Sequence, residues 1–77
     1  MEKMHIMIVE DDETLAREIK DFLMRWGYYA VIATHFENIV EDFYNYKPHL
    51  ILMDINLPYY DGFYWCTQIR NTSQVPL

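Results

Sequence analysis

Three short apolar runs alternate along this chain with stretches whose apolar residues recur at helical spacing. The runs cover residues 4–9, 29–34 and 49–54, and their shortness and β-branched content are typical of buried strands. After each run, apolar residues return every three or four positions, which predicts amphipathic helices. The alternation predicts an α/β fold, because strands separated by helices pair in parallel and are covered by helices on both faces.

Apolar side chains and their stop signals define three helices. These side chains are Leu15, Ile19, Phe22, Leu23 and Trp26 before Gly27; Phe36, Ile39, Val40, Phe43 and Tyr44 before Lys47 and Pro48; and Trp65, Cys66 and Ile69 within residues 63–70. Residues 56–62 form a loop with Pro58 and Gly62, and residues 75–77 resemble the opening of a fourth strand. Residues 1–77 are thus predicted to be one partial, doubly wound domain whose complete strand order is 2-1-3-4-5.

Composition limits the classes of protein to be considered. The 77 residues leave room for one small domain, and 52% hydrophobic content indicates a folded chain. The net charge of -6 and the scattered bases argue against nucleic-acid binding by this segment. Cys66 is the single cysteine, so an internal disulfide is excluded. Without a signal peptide or a long apolar span, we expect a cytoplasmic protein with no membrane partner.

Carboxylates follow two of the predicted strands. Glu10 and Asp11 come after the first strand, and Asp54 ends the third. Because the predicted winding makes these strands neighbours, the three side chains should converge at one edge of the sheet. Their repulsion calls for a cation, and an all-oxygen site without histidine or cysteine suits Mg²⁺. We expect four Mg²⁺ ligands from the protein: Asp11 directly, Glu10 directly or through water, Asp54, and Asn56 through its main-chain carbonyl.

A carboxylate beside a bound Mg²⁺ can act as a nucleophile toward phosphorus. Asp54 is the better candidate, because it stands alone before a loop. The structural alternative is that acids before helices are caps and that an aspartate at a strand end begins a turn. Two acidic strand ends placed together by the winding, with a loop containing proline and glycine after the second, favour the phosphoryl-accepting interpretation.

At these residues the sequence resembles the receiver domain of bacterial two-component response regulators. The resemblance lies in Ile6-Met7-Ile8-Val9-Glu10-Asp11-Asp12 and in Leu50-Ile51-Leu52-Met53-Asp54-Ile55-Asn56-Leu57-Pro58-Tyr59-Tyr60-Asp61-Gly62. It implies that Asp54 is the phosphoacceptor, that Glu10 and Asp11 form the acidic pocket, and that Asn56 offers its carbonyl to Mg²⁺. It also implies a sensor histidine kinase as phosphodonor.

The acid pair that begins with Glu10 and the Leu-Pro-x-x-Asp-Gly pattern are most similar to those of OmpR-type transcription regulators. Phe63-Tyr64-Trp65-Cys66 with Ile69-Arg70 is similar to regulators that sense bacitracin and antimicrobial peptides. The resemblance implies that the chain controls a DNA-binding output domain that lies outside it. It also implies family elements beyond residue 77, including a Ser or Thr, a Lys, and the usual dimerisation helices. Without them the third strand should be a bare apolar edge, so we expect association through strand exchange or through the remaining part of the domain.

Two other functions compete with the receiver interpretation. The first is an enzyme with an aspartyl-phosphate intermediate, a phosphatase or phosphotransferase. Enzymes of the D-x-D kind carry a second Asp two residues on, where this chain has Asn56, so that interpretation is disfavoured. The second is a receiver remnant that binds partners without being phosphorylated.

The histidines His5, His35 and His49 lack companions at ligand spacing and are assigned no role. The aromatic residues are expected mainly to fill the core.

Overall fold

The chain folds into three parallel strands and three helices in a computed structural model that describes residues 3–55, 57–71 and 73–76. The elements are β1 (His5–Val9), α1 (Glu13–Arg25), β2 (Tyr29–Ile32), α2 (Ile39–Tyr46), β3 (Leu50–Met53) and α3 (Gly62–Arg70). The strand order is β2-β1-β3, with β1 parallel to both neighbours. The predicted α/β fold is confirmed, and the first and third strands lie side by side.

The helices cover the sheet in two layers. On one face, Ala16 of α1 packs with Ile8 and Ala30, with Ile19 and Leu23 around them. On the other face, α2 and α3 close over a larger cluster. Its buried members are Met7, Val9, Ala33, Ile39, Phe43, Ile51, Trp65 and Ile69. Alternate residues of β1 therefore enter different clusters, as expected for a strand with both faces covered.

The helix ends are set by capping side chains. Asp12 accepts a hydrogen bond from the N–H of Leu15 and begins α1, while Gly27 follows the helix with φ of 92°. The apolar spacing predicts α2 from Phe36 onward, but the helix begins at Ile39, because the side chain of Asn38 accepts the N–H of Glu41 and caps the helix there. Phe36 lies in the preceding loop and still packs on the core.

The aromatic side chains lie mostly at the surface. All seven tyrosines are exposed, and so are Phe22, Trp26 and Phe63. Phe43 and Trp65 are the aromatic residues that enter the core. The expectation that aromatic residues mainly fill the core is therefore wrong. The interior is built instead from narrower side chains such as Ile, Val, Ala and Met, because a small chain has little depth in which to bury wide rings.

The segment after α3 returns to the sheet beside β3. The N–H of Ile51 donates a 2.9 Å hydrogen bond to the carbonyl of Pro76, and Val75 packs against the larger core cluster. Residues 73–76 form no assigned strand, and Leu77 lies outside the described residues. A fourth strand, and one partial domain over residues 1–77, remain predictions. In the part of the chain that the structure describes, no helix has the length and apolar content needed to cross a membrane.

Candidate functional site

The acidic residues meet at the edge of the sheet where the strands end. Val9 of β1 is in register with Met53 of β3, so Glu10 and Asp54 follow a paired position. The N–H of Asp54 donates a 2.9 Å hydrogen bond to the carbonyl of Val9, which fixes the two strand ends to each other. One oxygen from each of Glu10, Asp11 and Asp54 lies within 4.8 Å of the others. Asn56, the fourth predicted ligand, lies outside the described residues.

The surroundings of Glu10 disfavour its charged form. Partial burial raises the pKa of the Glu10 carboxyl, and the hydrogen bond and negative charge of Asp54 raise it further, together with the charge of Asp11. The N–H of Asp12, 3.3 Å from Oε1 of Glu10, opposes part of this rise in pKa. Three negative groups at this spacing are suited to a small divalent cation with oxygen ligands, and the donor set therefore fits Mg²⁺.

The three consecutive acids after β1 divide between two tasks. Glu10 and Asp11 belong to the cluster, whereas Asp12 caps α1 through the N–H of Leu15, 3.1 Å from its Oδ1. The capping interpretation thus holds for one of the three acids.

The loop after β3 is lined by aromatic rings. Tyr59 has φ of 68°, an uncommon value for a bulky residue, and its side chain is 76% exposed. The ring of Tyr60 stacks on that of Tyr64, with centroids 4.2 Å apart, and both contact the ring of Trp65 at right angles or nearly so. The loop that approaches Asp54 is thus held by an aromatic stack that reaches from the surface to the core.

Two cavities flank the acidic cluster. One, of about 390 Å³, lies between α1 and the loop after β2 and is lined by Glu10, Asp11, Arg17, Thr34 and Phe36 among others. The second, of about 380 Å³, is lined by Glu10 and Asp54 together with apolar residues that include Ile19 and Leu52. Glu10 thus lines both cavities, Asp11 lines the first and Asp54 lines the second, so each carboxylate of the cluster borders a cavity.

Two residues with no role predicted from the sequence form a pair at the surface, in which Asp42 is buried and His35 is about half exposed. Asp42 is 1% exposed, and its Oδ1 lies 2.7 Å from Nδ1 of His35. Asp42 falls on the same helical stripe as Ile39 and Phe43. An acid on an otherwise apolar stripe is the sequence signal that would have identified it.

Burial raises the pKa of the half-buried Cys66 thiol, which agrees with an unreactive side chain.

Residues 6–77 match the family described as the response regulator receiver domain. Sensory transduction protein BceR of Halalkalibacterium halodurans is 47% identical over 72 residues, which are 94% of this chain and 31% of that protein. Response regulator protein GraR of Staphylococcus epidermidis is 42% identical over 96% of this chain and 33% of its own length. The chain thus spans about a third of these curated relatives.

Solved structures agree with the sequence relatives. The N-terminal domain of the nisin resistance regulator NsrR superposes with a TM-score of 0.87, at 39% identity over 97% of this chain and 63% of that one. The BeF3-activated receiver domain of RstA from Klebsiella pneumoniae gives a TM-score of 0.85, at 31% identity over 91% of this chain and 60% of that one. With a family match over nearly its whole length and the acidic cluster at the strand ends, this chain belongs to the response regulator receiver domain family.

Proposed function

We propose that this chain is the phosphoacceptor segment of a two-component response regulator and that Asp54 takes the phosphoryl group. The observation that carries the proposal is the meeting of three carboxylate oxygens within 4.8 Å at the ends of β1 and β3. An isolated cap or turn residue needs no such partners. Asp54 is half-buried and lines one of the two cavities, so its carboxylate has solvent access from that side.

Each residue of the cluster has its own task in this proposal. A carboxylate oxygen of Asp54 forms the new bond to phosphorus while the bond from phosphorus to the donor's nitrogen or oxygen breaks. A histidine donor leaves as imidazole, with a proton on the released nitrogen, and acetyl phosphate leaves as acetate. Asp11 and Glu10 hold Mg²⁺ beside it, with Asn56 as a further ligand through its carbonyl. Bound Mg²⁺ neutralises negative charge on the transferring oxygens. The chain is then a switch that is modified by a partner and not an enzyme with a substrate of its own.

Mass spectrometry after incubation with Mg²⁺ and acetyl phosphate tests the assignment. We expect an adduct of one phosphoryl group that is lost in Asp54→Ala. Asp21→Ala, which removes an exposed carboxylate of α1 outside the cluster, should leave the adduct intact. Adducts that disappear only on replacement of His5, His35 or His49 would contradict the proposal. If no adduct forms with any donor, the alternative of a receiver remnant that only binds partners is favoured.

Calorimetric titration with Mg²⁺ tests the metal ligands in the absence of phosphate. Asp11→Asn removes one negative charge from the cluster without changing its shape. A unit charge pair about 4 Å apart is worth about 4 kcal/mol at an effective dielectric constant of 20, and about a third of that energy already corresponds to a tenfold loss in affinity. Asp21→Asn is the matched control. An unchanged Mg²⁺ affinity in Asp11→Asn would remove Asp11 from the site.

The partners follow from the relatives and are part of the proposal. The similarity to BceR and GraR supports a sensor histidine kinase as phosphodonor, and the similarity to the nisin resistance regulator supports a kinase that responds to antimicrobial peptides. In this proposal the chain lies in the cytoplasm, and DNA is bound only through an output domain outside it. Phosphotransfer from a panel of autophosphorylated kinases measures this directly. The proposal predicts the fastest transfer from a kinase of the antimicrobial-peptide class, and equal rates from unrelated kinases would contradict it.

A further inference from the structure

The first residue of α3 lies against the backbone of the proposed phosphoacceptor. A Cβ atom built on Gly62 would stand 2.1 Å from the carbonyl oxygen of Asp54, and 3.0 Å from both the carbonyl carbon of Asp54 and Cγ of Met53. Real Cβ atoms essentially never approach another heavy atom closer than 3.0 Å. The obstructing atom belongs to the backbone, so it cannot rotate away as a side chain would. Any other residue at this position must displace Asp54, α3 or both.

The space, and not the backbone conformation, requires this glycine. Gly27 has φ of 92°, in the left-handed region that favours glycine, whereas Gly62 is not among the residues with positive φ. The backbone at position 62 is helical, and an alanine would adopt it without strain. What an alanine lacks at this position is room beside Asp54.

Hydrogen bonds hold the same segment from two directions. The N–H of Asp54 bonds to Val9 of β1, and the N–H of Gly62 donates a 2.9 Å bond to the carbonyl of Ile55. Asp61 caps α3 through the N–H of Tyr64 and thereby fixes where the helix starts. The backbone of residues 54 and 55 is therefore hydrogen-bonded to the end of β1 on one side and to the start of α3 on the other. On the α3 side the contact is made by Gly62.

We propose that Gly62 is a positioning residue for Asp54. Because Gly62 has no side chain, α3 can pack directly against the carbonyl group of Asp54, and this contact sets the distance from the Asp54 carboxylate to Glu10 and Asp11. This inference depends on the proposed role of Asp54 as phosphoacceptor. Relief of the clash in Gly62→Ala requires movement of most of an ångström, from 2.1 Å to at least 3.0 Å. A misplacement of that order at a reacting group costs roughly 10²-fold in rate.

The test compares Gly62→Ala with Gly27→Ala in the full chain. A methyl group on Gly27 would meet no heavy atom within 4 Å, but φ there is 92°, so alanine strains the backbone and lowers stability without touching the site. In Gly62→Ala we expect shifted amide resonances and faster hydrogen exchange at Asp54 and Ile55 without metal. We also expect weaker Mg²⁺ binding and a phosphorylation rate lower by about 10²-fold at saturating Mg²⁺. Gly27→Ala should lower Tm and leave the other quantities at wild-type values.

The handedness of the contact offers a second test that survives poor folding of Gly62→Ala. A chain of this length is within reach of chemical ligation, and D-alanine at position 62 directs its methyl group away from the position where the clash arises. D-alanine is itself unfavourable in a right-handed helix, so the deciding quantity is the Asp54 amide resonance and not folding. We expect L-alanine to shift that resonance and D-alanine to leave it in place. Equal shifts of the Asp54 amide from the two enantiomers would overturn the inference.

The outcomes separate the two proposals. Wild-type chain that forms no adduct refutes the phosphoacceptor role, while the amide resonances and Mg²⁺ affinity still decide the role of Gly62. Wild-type chain that is phosphorylated, together with Gly62→Ala of equal rate, equal Mg²⁺ affinity and unmoved Asp54 amide, refutes the positioning role alone.

Discussion

Asp42 is the charged residue that the described part of the chain buries most completely, at 1% exposure. Its Oδ2 accepts the backbone N–H groups of Thr34 and His35 at 3.0 and 2.9 Å, and its Oδ1 faces Nδ1 of His35 at 2.7 Å. A buried carboxylate is tolerated only with such partners. Here they fix the loop after β2, and Thr34 of that loop lines the cavity next to Asp11.

Replacing Asp42 should therefore destabilise the whole chain. In Asp42→Asn the amide keeps the volume, but the charge is lost and an NH2 group replaces one of the two acceptor oxygens. Because hydrogen bonds to a charged acceptor are weakened or lost, we expect the free energy of unfolding in urea to fall by about 1.5 to 3 kcal/mol. Asp21→Asn on the exposed face of α1 should change it by about 0.5 kcal/mol or less. A loss in Asp42→Asn no larger than that of the control would show that the pair stabilises nothing.

The same pair makes part of the stability depend on pH. The hydrogen bond that the His35 ring donates to Asp42 raises the pKa of His35, with further contributions from the negative charges of Asp42, Glu41 and Glu37. Because the pKa is higher in the folded state than its ordinary value of 6.5, the stabilisation is complete below that value. It is lost as pH rises through the raised pKa. The effect of His35→Gln on unfolding should thus be greater at about pH 6 than at about pH 9.

An NMR titration of the His35 ring checks the cause of that dependence. In Asp42→Asn the midpoint should move down toward the ordinary value, because both the hydrogen bond and the principal charge are removed. A midpoint that stays in place would assign the shift to Glu37 and Glu41. The contact between His35 and Asp42 would then not be the cause of the pH dependence of stability.

At the scale of the elements, α1 and the acidic cluster share a run of three acids whose functions can be separated. Asp12→Ala removes a helix cap and should cost about 1 kcal/mol of stability while leaving Mg²⁺ affinity unchanged. Asp11→Asn should do the opposite, with weaker Mg²⁺ binding and little change in unfolding. Urea denaturation and calorimetry on both variants measure the crossing effects. Loss of Mg²⁺ affinity in Asp12→Ala would mean that the helix start itself positions the ligands.

The elements were predictable from sequence to different degrees. The existence of the strands and helices followed from periodicity, and the strand order followed from the doubly wound pattern. The apolar face predicted for α1 is only partly covered, because Ile19 and Leu23 pack on the core while Phe22 and Trp26 are exposed. The start of α2 was wrong by three residues, since Phe36 continues the apolar spacing while the side chain of Asn38 decides where the helix begins. The place of Asp54 beside Glu10 was inferable from winding alone. The contact of Gly62 with Asp54 was not, because it depends on the angle at which α3 meets the sheet.

At the scale of the whole molecule, one face of the sheet is only half covered. Helix α1 packs over Ile8 and Ala30, and Leu52, beside Ile8 on the same face, remains 38% exposed. Leu52 lines the cavity of about 380 Å³, and α1 adds Phe22 and Trp26 at 55% and 70% exposure. The outer edge of β3 meets the carbonyl of Pro76. This apolar surface leads us to propose that the chain associates with a second copy or with further receiver sequence.

Sedimentation velocity at several concentrations measures that association. Leu52→Lys places a charge on the half-covered face and should shift the chain toward monomer. Tyr44→Lys makes the same change in charge at a 51% exposed residue of α2, on the opposite layer, and should not. Because each copy carries a net charge of -6, electrostatic repulsion between copies opposes association. Added salt screens this repulsion and should therefore strengthen the association. Monomeric wild-type chain with a sharp thermal transition, at all salt concentrations, would show that the exposed face needs no partner.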